Sequence, residues 1–468
     1  MRDKKILSLF SAASLGCAMI ASAPALAGNE AMLELLKVLR DNGTITRQAY
    51  EQLVNAARAD EEKSTEGQAE VKQAVSNLPK TDTKGKLEIS SPEGDFKWRL
   101  GGRIHTDAAF YDNDTSTTGE PTGLDSGVDI RRARLALKGT LWRNWLFEVE
   151  YDFAESGDID EGLRDAYLRY LLKIPQPFAF TAGQFKEYLG LESWSSSNDL
   201  TFIERALPSR AFSPPSARRL GVGASTYGHD LWTLSAGVYG KNASGEDIGG
   251  VEIEDDPDPL VFVGRLTFSP LHTETRVVHL GASGSWLDSG NNLVEFREQP
   301  EADVGAERLI DTGEFDADTI TRYGVEALAI YGPFSLQGEY LLAHVNRELP
   351  GEPDVSFPGW YVYGSWVLTG ESRGYEFEEG EFKNPKPRGV VGKGGIGAWE
   401  IAARYSSLNL NDEDIEGGKE KNFTAGLNWY PTPNFKFMAN YVKILDIQGG
   451  EFDGTEPDIA EFRAQVYW

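Results

Sequence analysis

The chain has 468 residues, a formal net charge of −27 and a single cysteine. Acid in this excess would repel a polyphosphate backbone, so nucleic-acid binding is disfavoured, and one cysteine leaves no internal disulfide. Fifty glycines, 11% aromatic residues and only four methionines point to one large β architecture.

At the N-terminus, Arg2, Lys4 and Lys5 precede an apolar stretch from Ile6 to Ile20 and a small-residue end at Ala25-Leu26-Ala27. This is the layout of a secretory leader, so a signal peptide is predicted over 1–27, with the mature chain starting at Gly28. Cys17 lies inside that leader and has Ser14 three residues before it, where a lipid-attachment signal would want an aliphatic residue. Beyond the leader, no apolar run approaches the roughly 18 to 20 residues of a membrane-spanning helix.

Helical spacing of Leu33, Leu36, Val38 and Leu39, a stop at Asp41-Asn42-Gly43 and a cap at Thr44 or Thr46 predict a small helical hairpin up to about Ala59. The polar stretch 60–85 carries Val71 and Val75 at helical spacing and reads equally as a linker or a weak coiled coil. Segment 28–85 is thus expected to be a helical or coiled-coil periplasmic spacer.

From Phe96 the period changes to two. Trp98, Leu100, Ile104, Ala108 and Phe110 fall on one face, and Lys97, Arg99, Arg103, His105 and Asp107 fall on the other. Ala133, Leu135 and Leu137 then alternate with Arg132, Arg134 and Lys138, and Phe147, Val149, Tyr151 and Phe153 alternate with Glu148, Glu150 and Asp152. Apolar faces opposing charged ones over strands of about ten residues are what a barrel with lipid outside and water inside requires.

Such runs recur at 96–111, 129–142, 145–154, 163–174, 178–186, 220–227, 231–240, 260–269, 275–287, 319–331, 334–347, 359–368, 398–408, 422–431, 435–447 and 460–468. They predict an all-β, 16-stranded antiparallel transmembrane barrel over 96–468. Tight turns alternate with longer acidic loops, the short turns facing the periplasm. The stretch 369–397 breaks this pattern, since parity puts it on the short-turn side although it is long. Connection 187–219 is about 33 residues long and carries Trp194, Ser195, Ser196, Ser197, Arg205, Arg210, Arg218 and Arg219. A loop of this length folded inward would narrow the lumen.

Gly392 to Gly397 spells G-x-G-x-x-G, yet Trp399 to Tyr405 alternates like a strand instead of opening a helix, which argues against a nucleotide site. The five histidines show no metal-ligand spacing, and neither G-x-S-x-G nor H-E-x-x-H occurs. Neither enzyme chemistry nor a cofactor is expected. What stands out is charge on the predicted lumen faces: Arg99, Arg103, Arg132, Arg134 and Lys138 beside Glu148, Glu150 and Asp152.

The stretches 100–104 (LGGRI), 129–140 (DIRRARLALKGT), 182–186 (AGQFK), 195–207 (SSSNDLTFIERAL), 277–281 (VVHLG), 368–371 (LTGE) and 397–405 (GAWEIAARY), with the aromatic C-terminal Trp468, resemble the phosphate-selective porins O and P family in order and spacing. The resemblance covers nearly all of the mature chain. It implies a homotrimer in the bacterial outer membrane, seated in lipid, each subunit with a pore narrowed by its third loop. By the same resemblance, the residues matching the family's phosphate-binding constriction are Arg99, Arg103, Arg132, Asp165, Ser196, Ser197 and Arg205. Where phosphate-selective members carry uncharged groups, Arg134 and Lys186 stand here. The external loop 288–318, arginine-rich in those members, has only Arg297 and Arg308.

The expected function is therefore passive diffusion of small hydrophilic solutes, anions such as phosphate first among them. Arg103, Arg132, Arg134, Lys186 and Arg205 would form the anion-binding constriction, with Asp165 orienting one of them. The alternatives are a general or cation-preferring diffusion porin, for which the acidic loops argue, and a plugged receptor or adhesin barrel.

Overall fold

The computed structural model describes residues 26–83, 87–117, 119, 121–154, 162–213, 218–241, 260–289, 293–347 and 351–468, so the predicted leader lies almost wholly outside it. An N-terminal unit holds two helices, α1 (Leu26–Asp41) and α2 (Arg47–Ser76). Thr46 caps α2 by accepting a hydrogen bond from the Ala49 amide at 3.2 Å. The helix runs through most of the stretch that reads as linker or coiled coil, and Leu53, Val71 and Val75 on it are exposed.

The second unit is a barrel. Its strands are β1 (Lys97–Asp112), β2 (Gly127–Leu141), β3 (Trp145–Asp152), β4 (Leu163–Leu172), β5 (Phe178–Lys186), β6 (Arg218–Gly228), β7 (Trp232–Tyr239) and β8 (Leu260–His272). They continue with β9 (Arg276–Asp288), β10 (Thr319–Tyr331), β11 (Phe334–Asn346), β12 (Val355–Val367), β13 (Ala398–Asp412), β14 (Ile415–Thr432), β15 (Phe435–Gln448) and β16 (Asp458–Tyr467). Each pairs antiparallel with its neighbour in sequence, and β16 pairs with β1 from Asp458 opposite Asp112 to Tyr467 opposite Arg103. Closure leaves no edge, so every backbone polar group in the lipid zone finds a partner within the sheet. The seam is completed by Trp468, whose amide donates to the Gly102 carbonyl at 3.1 Å while the Gly102 amide donates to its carbonyl at 3.3 Å.

Phe262, Leu266, Phe268, Leu280, Trp286, Tyr323 and Val325 stand exposed on the outer wall. A water-soluble protein rarely shows so continuous an apolar surface, whereas a lipid-facing one requires it. Aromatic pairs near one rim, Phe96 with Trp142, Trp145 with Tyr170, Phe334 with Trp366 and Trp399 with Trp429, form the girdle expected at a membrane interface. That rim also carries the tight turns. Trp142 and Arg143, like His229 and Asp230, both have positive φ within the three-residue turns 142–144 and 229–231.

Sixteen barrel strands are present among the described residues, with three differences from the sequence expectation. Strand β12 begins at Val355, not 359, and Arg218 and Arg219 belong to β6, not to the preceding loop. Residues 409–421 are not a loop, because β13 and β14 run on to a tight turn at Glu413-Asp414. These outer strand ends project beyond the apolar zone, so both faces are polar and the period-two signal fades.

The lumen is far from empty. The third external loop, described over 187–213 and carrying α3 (Leu191–Trp194) and α4 (Leu207–Phe212), folds inward with the fifth loop, described over 293–317. Leu207 and Phe212 of the one join Val294, Phe296 and Leu309 of the other in an apolar core lined by Val263, Leu341, Phe357 and Val442 of the wall. The charged face of β1–β4 meets the third loop through polar contacts, with Glu204 against Arg131 and Arg132 and Ser197 against Arg103.

Candidate functional site

Strict alternation would place one of every two neighbouring charges in lipid, at a cost of about 2–4 kcal/mol for an arginine near the midplane. Two bulges prevent this. The β1–β2 register shifts between His105 opposite Arg132 and Asp107 opposite Asp129, so Arg131 and Arg132 both turn inward. Arg131 lies 3.1 Å from Glu204 and 2.9 Å from Asp303, and Arg132 lies 3.7 Å from Glu204. A second shift, between Val149 opposite Ala166 and Tyr151 opposite Leu163, brings both Arg164 and Asp165 inside. Arg164 is then 4.0 Å from Asp152, and Asp165 is 3.2 Å from Arg218.

The charges fall into three tiers. Outermost, Glu204 of the third loop receives Arg131, Arg132, Arg210 at 3.3 Å and Arg463 at 2.8 Å. Burial alone would push this carboxyl up, but the surrounding guanidinium groups hold it well below the usual carboxylate range. In the middle tier Arg103 donates to Ser197 Oγ at 2.9 Å and Glu150 at 2.7 Å, and Arg134 reaches Glu150 at 3.1 Å and Asp152 at 2.6 Å. Arg218 approaches Glu150 at 3.9 Å, so four guanidinium groups share three carboxylates. Innermost, Lys138 pairs with Glu148 at 2.5 Å, the Tyr167 hydroxyl donates to Glu148 at 2.9 Å, and Arg169 meets Glu379 at 3.4 Å.

Of the residues singled out from the sequence, Arg103, Arg134, Asp165 and Ser197 come together in the middle tier, and Arg132 stands one tier out. Arg99 is exposed near the periplasmic end of β1. Lys186 and Arg205 are occupied otherwise. Lys186 Nζ donates to the carbonyls of Ser193, Trp194 and Ser195 at 3.1, 2.9 and 3.1 Å. Arg205 donates to Glu192 O at 2.9 Å and Ser195 O at 2.8 Å, and is 1% exposed. Carbonyls at the end of a helical turn lack intrahelical partners, so both cations hold the third loop in shape around α3. The Ser196 amide donates to Glu381 at 3.3 Å, on the periplasmic side.

Alternation overlooked Arg131 and Arg164, and loop composition hid Arg218. The pairs Arg131-Arg132 and Arg164-Asp165 nevertheless carry a signal: two consecutive charges inside a membrane strand imply a bulge, because neither can face hydrocarbon. Arg132 is the outlier. It is 3% exposed, Glu204 is its one carboxylate within 4 Å, and its Nη1 has no hydrogen-bond partner among the described residues.

Comparison with known proteins agrees with this architecture. The model of the family described as "Phosphate-selective porin O and P" matches residues 99–468. Porin O of Pseudomonas aeruginosa is 28% identical over 394 residues, 77% of this chain and 86% of the relative. An uncharacterized protein of Caulobacter vibrioides is 30% identical over 375 residues, 78% and 71% respectively. Among solved structures, in-vitro folded OmpT, an outer membrane protein of Vibrio cholerae, covers 80% of this chain and 98% of its own with a TM-score of 0.50 at 13% identity. The anion-selective porin from Comamonas acidovorans covers 80% and 100% with a TM-score of 0.50 at 12% identity, a likeness of fold. With a closed barrel, a charged inner wall and a family match over residues 99–468, the chain belongs to the phosphate-selective porin O and P family of outer-membrane porins.

Proposed function

We propose that this porin conducts anions of the phosphate class along the inner face of β1–β4, passing from the outer to the inner charge tier. The observation that carries the reading is Arg132, a buried guanidinium beside Arg131 and facing Glu204 only at 3.7 Å. A guanidinium stays charged at any physiological pH and offers several fixed donors, so one whose Nη1 lacks a hydrogen-bond partner among the described residues suits an oxyanion. The carboxylates in every tier keep the well shallow enough for release.

The same reading makes the chain a channel with no catalytic role, exported through cleavage of the leader at 1–27 and assembled as a homotrimer in lipid. A general-diffusion reading draws on the pairing of Arg103, Arg134 and Arg218 with acids. Reversal potential in a potassium chloride gradient, repeated with inorganic phosphate as blocker, separates the two. Anion preference that falls in Arg132→Ala is expected. Unchanged potential and unchanged phosphate block in that variant would refute the anion path and leave general diffusion.

A further inference from the structure

Strands β12 and β13 are direct neighbours, and the Leu368 amide already donates to the Trp399 carbonyl at 2.7 Å. Two residues would close this turn, yet some thirty intervene. They form a hairpin, Gly374–Glu376 paired with Glu381–Lys383, which rises into the lumen from the periplasmic rim. Arg265 of β8 grips its tip, donating to Glu379 O at 3.3 Å and Gly380 O at 2.9 Å. Phe377 stacks on His272 at 4.4 Å, and the Tyr375 hydroxyl bridges Ser269 and His279 at 2.7 Å each. Gly380 has φ +58°, and a Cβ there would lie 3.2 Å from Thr267, so the chain passes close against β8 in a conformation that suits glycine. On the other side Asn384 and Arg373 bond to Asn198 and Asp199 of the third loop.

This scaffold presents the Glu379 carboxylate to the inner charge tier. Glu379 is rooted between β12 and β13 but meets Arg169 on β4, half the barrel away, at 3.4 Å. Its side chain is 40% exposed, and that of Arg169 is 16% exposed. The backbone of the tip is held by Arg265, so the Glu379 side chain is free to act on the path and not on the fold. Arg169 has no other acid partner within ion-pair distance among the described residues.

On the reading that anions travel along β1–β4, we propose that Glu379 is a specificity-determining residue at the periplasmic exit: its carboxylate neutralises Arg169 and limits how strongly the inner tier prefers anions. A fixed charge in a narrow, low-dielectric mouth sets the local counter-ion concentration, so this pair also shapes the asymmetry of the current–voltage curve.

The test uses the full-length porin in planar bilayers, with potassium chloride gradients in both orientations. Glu379→Gln should raise the anion-to-cation permeability ratio at least twofold and change the current asymmetry, most at low salt. Arg169→Gln should lower the ratio, and the double variant should return it toward wild type. An unchanged ratio in both single variants would overturn the proposal even where anion preference persists. A cation-preferring wild-type channel would instead overturn the anion path on which it rests. If Glu379→Gln fails to form channels while Arg169→Gln conducts with the wild-type ratio, Glu379 is a structural strut and the proposal is equally overturned.

Discussion

Glu150→Gln is the most informative single change in the middle tier. The carboxylate is 2% exposed and lies 2.7 Å from Arg103, 3.1 Å from Arg134 and 3.9 Å from Arg218. Glutamine keeps the shape and one acceptor, but leaves four guanidinium groups with two carboxylates instead of three. A phosphate resting against Arg103 and Arg134 would sit about 4 Å from the position of that lost charge, where repulsion is about 1 kcal/mol in bulk water and about 4 kcal/mol at an effective dielectric of 20. Even the smaller value is about fivefold in affinity. Block of chloride current by added phosphate should therefore strengthen by at least about fivefold, while conductance in phosphate itself falls as release slows. Because the site is confined, the change should survive in 0.15 M salt, unlike effects from the outer loops. Far-UV circular dichroism and heat-modifiable migration would confirm that the barrel is intact. If the folded variant shows wild-type reversal potential and wild-type phosphate block, the middle tier is not on the ion path and the reasoning fails.

Two further outcomes follow from the placement of cations and of the C-terminus. Lys186→Met removes three hydrogen bonds from a charged donor, each worth about 1.5–3 kcal/mol. It should loosen the third loop, read as new protease sensitivity within 191–196, and an equally protected loop would show that Lys186 does not hold α3. Deleting Trp468 removes both hydrogen bonds that zip the end of the seam to Gly102; the yield of heat-modifiable barrel in the outer membrane should drop several-fold, and unchanged yield would dismiss that role.

Much of this molecule is legible without coordinates. Lipid and water on opposite sides of a strand force a period of two, and this alone exposes sixteen strands, their faces and the inward direction of Arg103, Arg134 and Glu150. Parity likewise marks 369–397 as an anomaly. The strand ends beyond the membrane were not legible, since Asn409 to Lys421 faces polar surroundings on both sides and loses the alternation. Nor were the roles of the cations. Residue type makes Lys186 and Arg205 resemble an anion site, yet both turn to the carbonyls around α3, a choice set by how a loop distant in sequence packs back on the wall. Bulges at Arg131 and Arg164 depend on register between two strands, and the meeting of Glu379 with Arg169 depends on a hairpin crossing the lumen. Local periodicity encodes which face a side chain takes, because solvent acts on each residue separately. Which charges neutralise one another is decided by contacts between segments far apart in the chain, 210 residues for Arg169 with Glu379 and 356 for Asp107 with Arg463, and only the closed barrel brings those together.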